Sequence, residues 1–506
     1  MVLARRSPDA HPEESRVTRV IGMWLAVGVA LGCLFTAGGG MTSMDGVVAF
    51  NVTQNLVERG SVATSGGVIE LEPYRGRDGR FYSPFGIAQS IWNVPFYLTG
   101  RAVAASLPPR VGRSDAVPKA VVALATIPAV ALLAWICFAL LVKLGAERRR
   151  AVTIALLGVF ATPMWPHSGF GFNQPLAGMF LWLAVLGAIA GVSGPLNVRA
   201  LAGAGLAAGG ALLTRHEMVL AAGVIAVWLF SVTPRRWTAA SAYVAGFTPA
   251  AVAWGALNWW RFGNPLETGY LRDPAPGFGS SILAGTAGLL FSPYSSLFLY
   301  CPLALLSLPA LPALWRRNRS ATVLIVSVFA FCFLFYASLA NWMGARSYGP
   351  RYLVPLLPAL VLPLAFWKPS PAFRWIAALI LAVSVTVQIP GVLVDYSKVR
   401  EARATAGETV AQDMRWSGMP LRLNSVAVLD ALPRTVRHLL GRERPPAVRL
   451  DDPTLSRALS FGLDLWWVHL FYLRVIGPFA ALALGGSIAA TAGLAIARAL
   501  TLARPA

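Results

Sequence analysis

The stretch from Pro118 to Lys143 reads PKAVVALATIPAVALLAWICFALLVK, and it decides the fold class. Apart from its lysines at positions 119 and 143 the stretch carries no charge. A helix of about 20 apolar residues is long enough to cross the hydrocarbon core of a bilayer. The stretch therefore predicts a transmembrane helix.

The rest of the chain repeats this pattern. Of its 506 residues, 56% are hydrophobic and 13% are charged, whereas a soluble domain carries about 25% charged residues. Further apolar runs lie at 20–37, 151–165, 175–192, 200–213, 218–232, 239–258, 286–314, 320–340, 352–367, 375–394 and 472–497. We predict an all-α, polytopic integral membrane protein with about twelve transmembrane helices, which excludes a water-soluble enzyme. The run at 20–37 lacks a signal-peptidase pattern and is expected to stay as the first helix.

The charge balance fixes an expected orientation. Lys and Arg number 43 against 22 Asp and Glu, a net charge of +21. If the N-terminus is cytoplasmic, every short inside loop carries at least one basic residue, as membrane topology requires. The excess charge is then a topology signal, and no nucleic-acid partner is expected.

This orientation divides the chain into four parts. They are a cytoplasmic segment at 1–19, a transmembrane catalytic module at 20–395, an extracytoplasmic segment at 396–470, and a last helix with a cytoplasmic tail at 471–506. The first external loop, at about 38–117, is large and is expected to carry interfacial helices. Because the long loops all face outward, we expect a site on the extracytoplasmic side of a bacterial cytoplasmic (inner) membrane.

The cysteines and the possible metal ligands give little information about function. Cys33, Cys137, Cys301 and Cys332 all fall in apolar runs and are expected to be small buried residues. No cluster of His, Asp and Glu predicts a metal site, and no cofactor is expected, although the sequence leaves a divalent cation open.

The first external loop begins with TSMDGVVAFN at 42–51, which places Asp45 just beyond the first apolar run. Val48, Val52 and Leu56 recur at helical spacing, so Asp45 could be the N-cap of a helix. An ionisable group beside the membrane is also often functional, which would make Asp45 a general base. The residues alone favour neither interpretation.

Aromatic residues mark the end of this loop. The stretch GRDGRFYSPFG at 76–86 contains Tyr82, and IWNVPFYL at 91–98 follows it. The second stretch is too short to span a bilayer, and its Trp, Phe and Tyr side chains are typical of a helix that lies along the membrane surface.

Two later motifs complete an ordered set. GNPLETGY at 263–270 contains Glu267, and NWMGARSYGPRY at 341–352 contains Arg346, Tyr348, Arg351 and Tyr352. In this order the motifs resemble the GT-C superfamily of membrane glycosyltransferases, in the bacterial family 39-like branch similar to protein O-mannosyltransferases and aminoarabinose transferases. The resemblance covers most of residues 20–370.

The resemblance implies a polyprenyl-phosphate-linked sugar donor and transfer with inversion to an extracytoplasmic hydroxyl on a glycan, lipid or protein. It places the catalytic acid of the family on Asp45. Arg351 and Arg346 are then expected to bind the donor phosphate, with Tyr348 and Tyr352 as hydrogen-bonding neighbours. Many relatives have a second acidic residue, for which the loop offers Glu58, Glu70, Glu72 and Asp78.

The stretch Thr214–Glu217 stands between two short apolar runs, so Arg215 and Glu217 are expected below the membrane surface as an ion pair or as part of a pocket lining. Tyr82 and Glu267 are the other possible lining residues. His167, alone in its loop, is expected to be a surface residue.

Two other functions fit twelve membrane spans. A transporter or flippase of envelope lipids or glycans would place ionisable groups near mid-span. A ligase- or polymerase-type glycan transferase would centre its chemistry on arginines in a late external loop and leave Asp45 dispensable. Membrane lipids are expected partners in every case.

Overall fold

A computed structural model describes residues 12–41, 43–107, 115–273, 277–344, 347–405, 407, 416–446, 448 and 461–504. Helices dominate this part of the chain, and none of the described residues forms a β-strand. The predicted all-α class is confirmed.

The helices are numbered here in chain order. They are α1 Pro12–Phe35, α2 Met44–Arg59, α3 Ala88–Ser106, α4 Ala116–Ala123, α5 Thr126–Lys143, α6 Arg148–Phe160, α7 Gln174–Val192, α8 Val198–Thr214, α9 Met218–Val232, α10 Arg236–Phe262, α11 Ile282–Phe291, α12 Leu297–Tyr300, α13 Ala304–Arg317, α14 Arg319–Ser338, α15 Leu357–Val361, α16 Pro371–Leu393, α17 Tyr396–Thr405, α18 Pro420–Leu439, α19 Trp466–Tyr472 and α20 Pro478–Leu502. Short 3-10 helices lie at Glu72–Tyr74, Pro166–Ser168, Arg351–Leu356, Leu362–Ala365 and Trp416–Gly418.

Within the described residues, six helical stretches are long and apolar enough to cross a membrane. They are Glu14–Phe35, Ala116–Lys143, Gln174–Val192, Arg319–Ser338, Pro371–Leu393 and Pro478–Leu502. By helix length and composition the chain is a multi-pass membrane protein. The predicted count of twelve spans is not confirmed.

Two predicted spans are not single helices. The run at 286–314 is divided into α11, α12 and α13, with breaks at Pro293 and Pro302. The run at 352–367 is a chain of 3-10 turns around the short helix α15. Proline removes an N–H donor and collides with the preceding turn, which favours a break at these positions. Within the same run, α13 nevertheless continues through Pro309 and Pro312.

The core of the bundle is apolar and closely packed. Cys33, Cys137, Cys301 and Cys332 all lie buried in it as free thiols, as predicted. The backbones of α8 and α10 touch, because a Cβ atom on Gly205 would lie 1.9 Å from the Tyr243 carbonyl oxygen. Small residues allow this approach in membrane helices. The contact fixes α8 against α10.

The C-terminal end of α1 is capped by residues from far along the chain. The indole N–H of Trp466 donates to the Leu34 carbonyl at 2.8 Å, and that of Trp467 donates to the Phe35 carbonyl at 2.9 Å. The backbone N–H of Trp466 donates to Ala37 at 3.1 Å. The last carbonyls of a helix have no partner within it, so α19 supplies donors that α1 lacks. We call the end of the bundle where α1 ends and α2 begins, which contains Asp45, the Asp45 end.

Removing these caps is expected to destabilise the fold. Exchange of both Trp466 and Trp467 for phenylalanine keeps the rings but removes one donor from each carbonyl, so that Leu34 keeps only the backbone N–H of Ala37. Loss of a hydrogen bond to a buried carbonyl costs roughly 1–3 kcal/mol. Thermal unfolding of the purified protein in detergent should therefore begin at a lower temperature. The matched control is Trp375→Phe, because Trp375 is 82% exposed on α16. An equal shift in the control would show that loss of indole area, and not capping, is responsible.

A buried charge cluster lies beside α19. Asp464 accepts from the backbone N–H of Asp395 at 2.9 Å, pairs with the ammonium group of Lys398, and lies 3.4 Å from Nε2 of His469. Burial by itself raises the pKa of Asp464, but Lys398 and His469 outweigh burial and lower the pKa from 3.8 to about 2. The cluster ties α17 to the start of α19.

This cluster should make stability depend on pH. Because the pKa of Asp464 is lower in the folded protein, its stabilising effect is complete above about pH 4 and is lost as the pH falls through about 2. The lost contribution is roughly 2 kcal/mol. Asp464→Asn should flatten the fall of the unfolding temperature between pH 4 and 2, whereas Asp430→Asn, at a largely exposed carboxylate, should not. An unchanged slope in Asp464→Asn would contradict the assignment.

Candidate functional site

The first element of the site is the start of α2. Ser43 is the N-cap, since its hydroxyl accepts from the Gly46 N–H at 3.2 Å. Asp45 therefore lies in the first turn of the helix, and its interpretation as the N-cap is wrong. A carboxylate in a first turn is stabilised by the helix dipole. Asp45 is 7% exposed, so its charge has to be met inside the protein.

Arg351 meets that charge. Its Nη1 donates to Oδ2 of Asp45 at 3.1 Å, and 13% of the arginine side chain is exposed. The two residues are 306 positions apart in the chain. Nε of Arg351 is buried and has no hydrogen-bond partner among the residues that the structure describes. The guanidinium group thus keeps donor capacity that Asp45 does not use.

Tyr352, the next residue, carries two guanidinium groups against its ring. The Cζ atoms of Arg351 and Arg215 lie 5.3 and 5.5 Å from the ring centroid. The ring also stacks on Tyr336 of α14, with centroids 5.2 Å apart and planes at 8°. Cations are attracted to aromatic faces, so Tyr352 holds two positive charges close together beside Asp45.

Arg215 and Glu217 form the ion pair that the sequence predicts. Nε of Arg215 lies 2.6 Å from Oε1 of Glu217, and both side chains are largely buried. Arg215 also donates through Nη1 to the side-chain oxygen of Asn173 at 2.9 Å, and the Tyr336 hydroxyl donates to Glu217 at 3.0 Å. Every charge in this pair is therefore met by more than one partner, as burial requires.

Tyr270 lies near both charge pairs. Its hydroxyl group interacts electrostatically with Asp45 and with Arg215. Its ring contacts Phe85 and His216, at centroid distances of 6.3 and 6.4 Å. The loop after α10 thus closes one side of the cluster. We call Asp45, Arg215, Glu217, Tyr270, Tyr336, Arg351 and Tyr352 the polar cluster.

The segment before α7 supplies polar atoms without partners. His167 is 1% exposed, so the expectation that it is a surface residue is wrong. Its Nδ1 lies 2.7 Å from the Pro163 carbonyl. Within the described part of the chain, Nε2 of His167 and both amide atoms of Gln174 are buried without a hydrogen-bond partner. The segment packs on α2, since a Cβ atom on Gly46 would lie 3.1 Å from the Gly171 carbonyl oxygen. Unmet polar atoms beside a charge pair are typical of a binding site.

Several predicted site residues lie apart from the polar cluster. The Tyr348 hydroxyl donates to the Val387 carbonyl at 2.5 Å, and its ring packs on Tyr300. Tyr82 is buried against Trp260 and Phe262 and donates to Asp78 at 2.6 Å. Glu267 accepts from the Gly269 N–H at 2.7 Å and so shapes its own loop. Arg346 lies outside the described residues.

The loop carboxylates proposed as a second acid are engaged locally. Glu58 accepts from Tyr97 and Arg101, and Glu70 accepts from the Gly67 N–H at 2.7 Å. Glu72 pairs with Arg75, and Asp78 pairs with Arg80. Glu217 is the acidic side chain that shares the polar cluster with Asp45.

A metal site is not evident in the part of the chain that the structure describes, where no three His, Cys, Asp or Glu side chains converge. Asp45 and Glu217 are each paired with an arginine. Two carboxylates already neutralised in this way are poorly suited to holding a divalent cation between them.

Sequence reasoning missed the neutral members of the site. Asn173 and Tyr336 are single polar residues in or beside apolar runs, where composition gives no reason to select them, and Tyr270 ends the motif at 263–270, from which only Glu267 is selected. An ionisable residue in such a run attracts notice because its burial is costly. A neutral polar residue costs less to bury and gives a weaker signal.

Comparison with known proteins gives matches among solved structures only. No family model matches the chain, and no curated protein matches it. ArnT from Cupriavidus metallidurans matches with a TM-score of 0.47 and 14% identity, over 96% of this chain and 78% of ArnT. The ArnT structure bound to undecaprenyl phosphate matches with a TM-score of 0.46, the same identity and the same coverage.

A third match is the archaeal oligosaccharyltransferase AglB from Archaeoglobus fulgidus, in complex with an inhibitory peptide and a dolichol-phosphate. Its TM-score is 0.44 and its identity 11%, over 94% of this chain and 60% of AglB. The structural neighbours are thus ArnT and AglB at low sequence identity. The resemblance to the GT-C superfamily, and to one branch of it, stays a prediction.

Proposed function

We propose that this protein is a membrane glycosyltransferase that moves a sugar from a polyprenyl-phosphate donor to an acceptor hydroxyl, with Asp45 as the general base. The observation that carries the proposal is the buried contact between Asp45 and Arg351. A carboxylate and a partly unpaired guanidinium group in one polar cluster offer a proton acceptor beside a phosphate-binding group.

Phosphate binding would change the state of Asp45. Arg351 is the partner that neutralises the Asp45 carboxylate. A donor phosphate would compete for the same guanidinium group, since arginine binds phosphate through a two-pronged contact. Donor binding would thereby release Asp45 to act as a base, and so would couple arrival of the sugar to activation of the acceptor.

The reaction then needs one proton transfer. The acceptor hydroxyl loses its proton to Asp45 as its oxygen bonds to the anomeric carbon, and the bond from that carbon to the phosphate oxygen breaks. Attack from the face opposite the phosphate inverts the configuration. The polyprenyl phosphate leaves with its negative charge, which Arg351 and Arg215 stabilise.

Glu217 and Tyr336 have a positioning role in this proposal, because they hold Arg215. Glu217 fixes Arg215 at 2.6 Å, and Tyr336 fixes Glu217 at 3.0 Å. Arg215 lies over the Tyr352 ring together with Arg351. A guanidinium group that is already held in place loses little entropy when it binds an anion.

We place the Asp45 end on the extracytoplasmic side of a bacterial inner membrane, because the topology predicted from the basic loops puts the end of the first span outside. Nucleotide sugars are absent from that side, which favours a lipid-linked donor. The acceptor would be an extracytoplasmic glycan, lipid or protein hydroxyl. Nucleic acid has no part in this proposal.

The direct test is transfer of labelled sugar by the purified protein in detergent. A panel of polyprenyl-phosphate sugars and the matching nucleotide sugars should be offered with hydroxyl-bearing acceptors. We expect product from lipid-linked donors only, with inverted anomeric configuration by NMR. Product from nucleotide sugars would contradict the proposal.

The same preparation separates the transporter alternative. Reconstituted into vesicles, a flippase would move a labelled polyprenyl-phosphate sugar across the bilayer without breaking its sugar–phosphate bond. We expect the transferase to cleave that bond and to leave the sidedness of the intact donor unchanged. Translocation without cleavage would favour the flippase.

A further inference from the structure

Helix α18 lies across the Asp45 end of the bundle. Near its start, the Asn424 amide donates to the carbonyls of Pro390 and Val394 at the end of α16, at 3.2 and 2.7 Å. Near its end, Nδ1 of His438 lies 3.2 Å from the Tyr472 hydroxyl, just before α20 begins. Because α16 and α20 are both long enough to cross a membrane, a helix held between their ends lies at the level of the membrane surface.

Three faces of α18 differ in character. One face is buried against the bundle through Asn424, Ala431, Thr435, His438 and Leu439. Another side presents an exposed apolar stripe, which consists of Val426, Leu429, Leu432, Val436 and Leu440. An exposed apolar stripe is unfavourable in water and is typical of a helix embedded at the surface of a bilayer.

The third face lines a groove between α17 and α18. The groove has a volume of about 630 Å³, within the size range of small-molecule sites. Its lining includes the cations Lys398, Arg403, Arg422 and Arg434, the acids Asp430 and Asp464, and the apolar residues Val394, Val399, Leu423, Val426 and Ala427. Four cationic side chains against two acidic ones give the groove a net positive charge, and apolar side chains form most of the rest of its lining.

Both acids already have a cationic partner, but the two ion pairs differ in exposure to solvent. Asp464 is buried with Lys398, whereas Asp430 and Arg434 are 68% and 34% exposed. Such an exposed pair contributes little, because water screens it. Arg422, also exposed, donates to the Ser417 carbonyl at 3.2 Å. An incoming anion could therefore engage Arg422 and Arg434 with little loss of existing contacts.

We infer that the groove between α17 and α18 binds the headgroup of an anionic phospholipid of the surrounding bilayer. The phosphate lies beside Arg422 and Arg434, and the acyl chains run along the apolar stripe of α18. Charge complementarity selects an anion, and continuity of the groove with the stripe at Val426 selects one that carries hydrocarbon. This site is separate from the polar cluster and does not depend on the reaction proposed there.

The test uses the full chain in mixed micelles that contain equal amounts of phosphatidylglycerol and phosphatidylcholine, with bound lipid counted by native mass spectrometry. The wild type should retain phosphatidylglycerol preferentially. The double variant Arg422→Gln and Arg434→Gln should lower its retention roughly tenfold. The matched control, Arg437→Gln with Arg442→Gln, removes the same charge outside the groove and should change retention less than twofold.

A second variant tests the stripe. Leu429→Gln leaves every groove charge in place and should still weaken retention several-fold, because the acyl chains lose an apolar contact. The unfolding temperature of each variant should match that of the wild type, since the substituted side chains are exposed.

Three results would overturn the inference. Equal retention of the two lipids would show that no anion is selected. Equal losses in the two double variants would show general attraction to a basic surface. Displacement of phosphatidylglycerol by inorganic phosphate at 10 mM would show a site for free phosphate instead of lipid.

Discussion

Replacing Asp45 with asparagine is expected to lower the rate of sugar transfer by roughly 10²- to 10⁴-fold, the usual contribution of a general base. The asparagine side chain can still accept the Arg351 hydrogen bond, which lies at 3.1 Å in the wild type. It cannot take up the acceptor proton. The loss should therefore fall on kcat, measured with labelled donor at saturation, while the KM for the donor stays unchanged or falls, because no carboxylate competes with the phosphate for Arg351.

The matched control for this change is Asp78→Asn. Asp78 lies in the same first loop, where it pairs with Arg80 and accepts from Tyr82. It should keep near wild-type turnover, because it is not part of the polar cluster. Asp45→Asn with unchanged turnover would sink the assignment of Asp45 as the base and would favour a glycan ligase or polymerase with its chemistry elsewhere.

Replacing Arg351 with glutamine is expected to raise the KM for the donor roughly 10- to 100-fold, since a hydrogen bond to a charged group contributes about 1.5–3 kcal/mol. Arg351→Lys keeps the charge but loses the two-pronged contact, so its effect should be intermediate. Arg101→Gln, at an exposed arginine of α3, serves as the charge control and should leave the KM unchanged.

Stability has to be separated from binding in this experiment. Removing one partner of a buried ion pair destabilises a protein by about 3–5 kcal/mol, so Arg351→Gln should also unfold at a lower temperature. The double variant with Asp45→Asn removes the unpaired carboxylate and should recover part of that loss without recovering activity. A folded Arg351→Gln protein with a normal donor KM would show that Arg351 is only a structural anchor.

The sequence predicts the long helices well, because an apolar run of membrane length has few alternatives. The runs at 175–192 and 375–394 correspond to α7 and α16 within a few residues. The runs at 286–314 and 352–367 do not form single helices, because Pro293, Pro302 and Pro355 interrupt them. A run can stay apolar on average across a proline, whereas the backbone loses a hydrogen bond there. The break is not obligatory, because α10 continues through Pro249 and α13 through Pro309 and Pro312.

Prediction of the site was limited by distance along the chain. Asp45 and Arg351 were each selected for their local motif, but their contact joins residues 306 positions apart and follows only from the packing of the bundle. Arg215 and Glu217 are two positions apart, so their pairing could be predicted. Tyr348 stands in the same motif as Arg351 and still points elsewhere, because neighbours in a turn face different sides.

The capping of α1 by Trp466 and Trp467 has a consequence for biosynthesis. Trp466 follows Leu34 by 432 residues. At about 5–20 residues per second, the ribosome needs roughly 20 to 90 s to travel between them. During that interval the first helix has entered the membrane without the indole donors that cap Leu34 and Phe35. The first helix to be made is thus among the last to have its end completed, because its cap waits for the synthesis of α19.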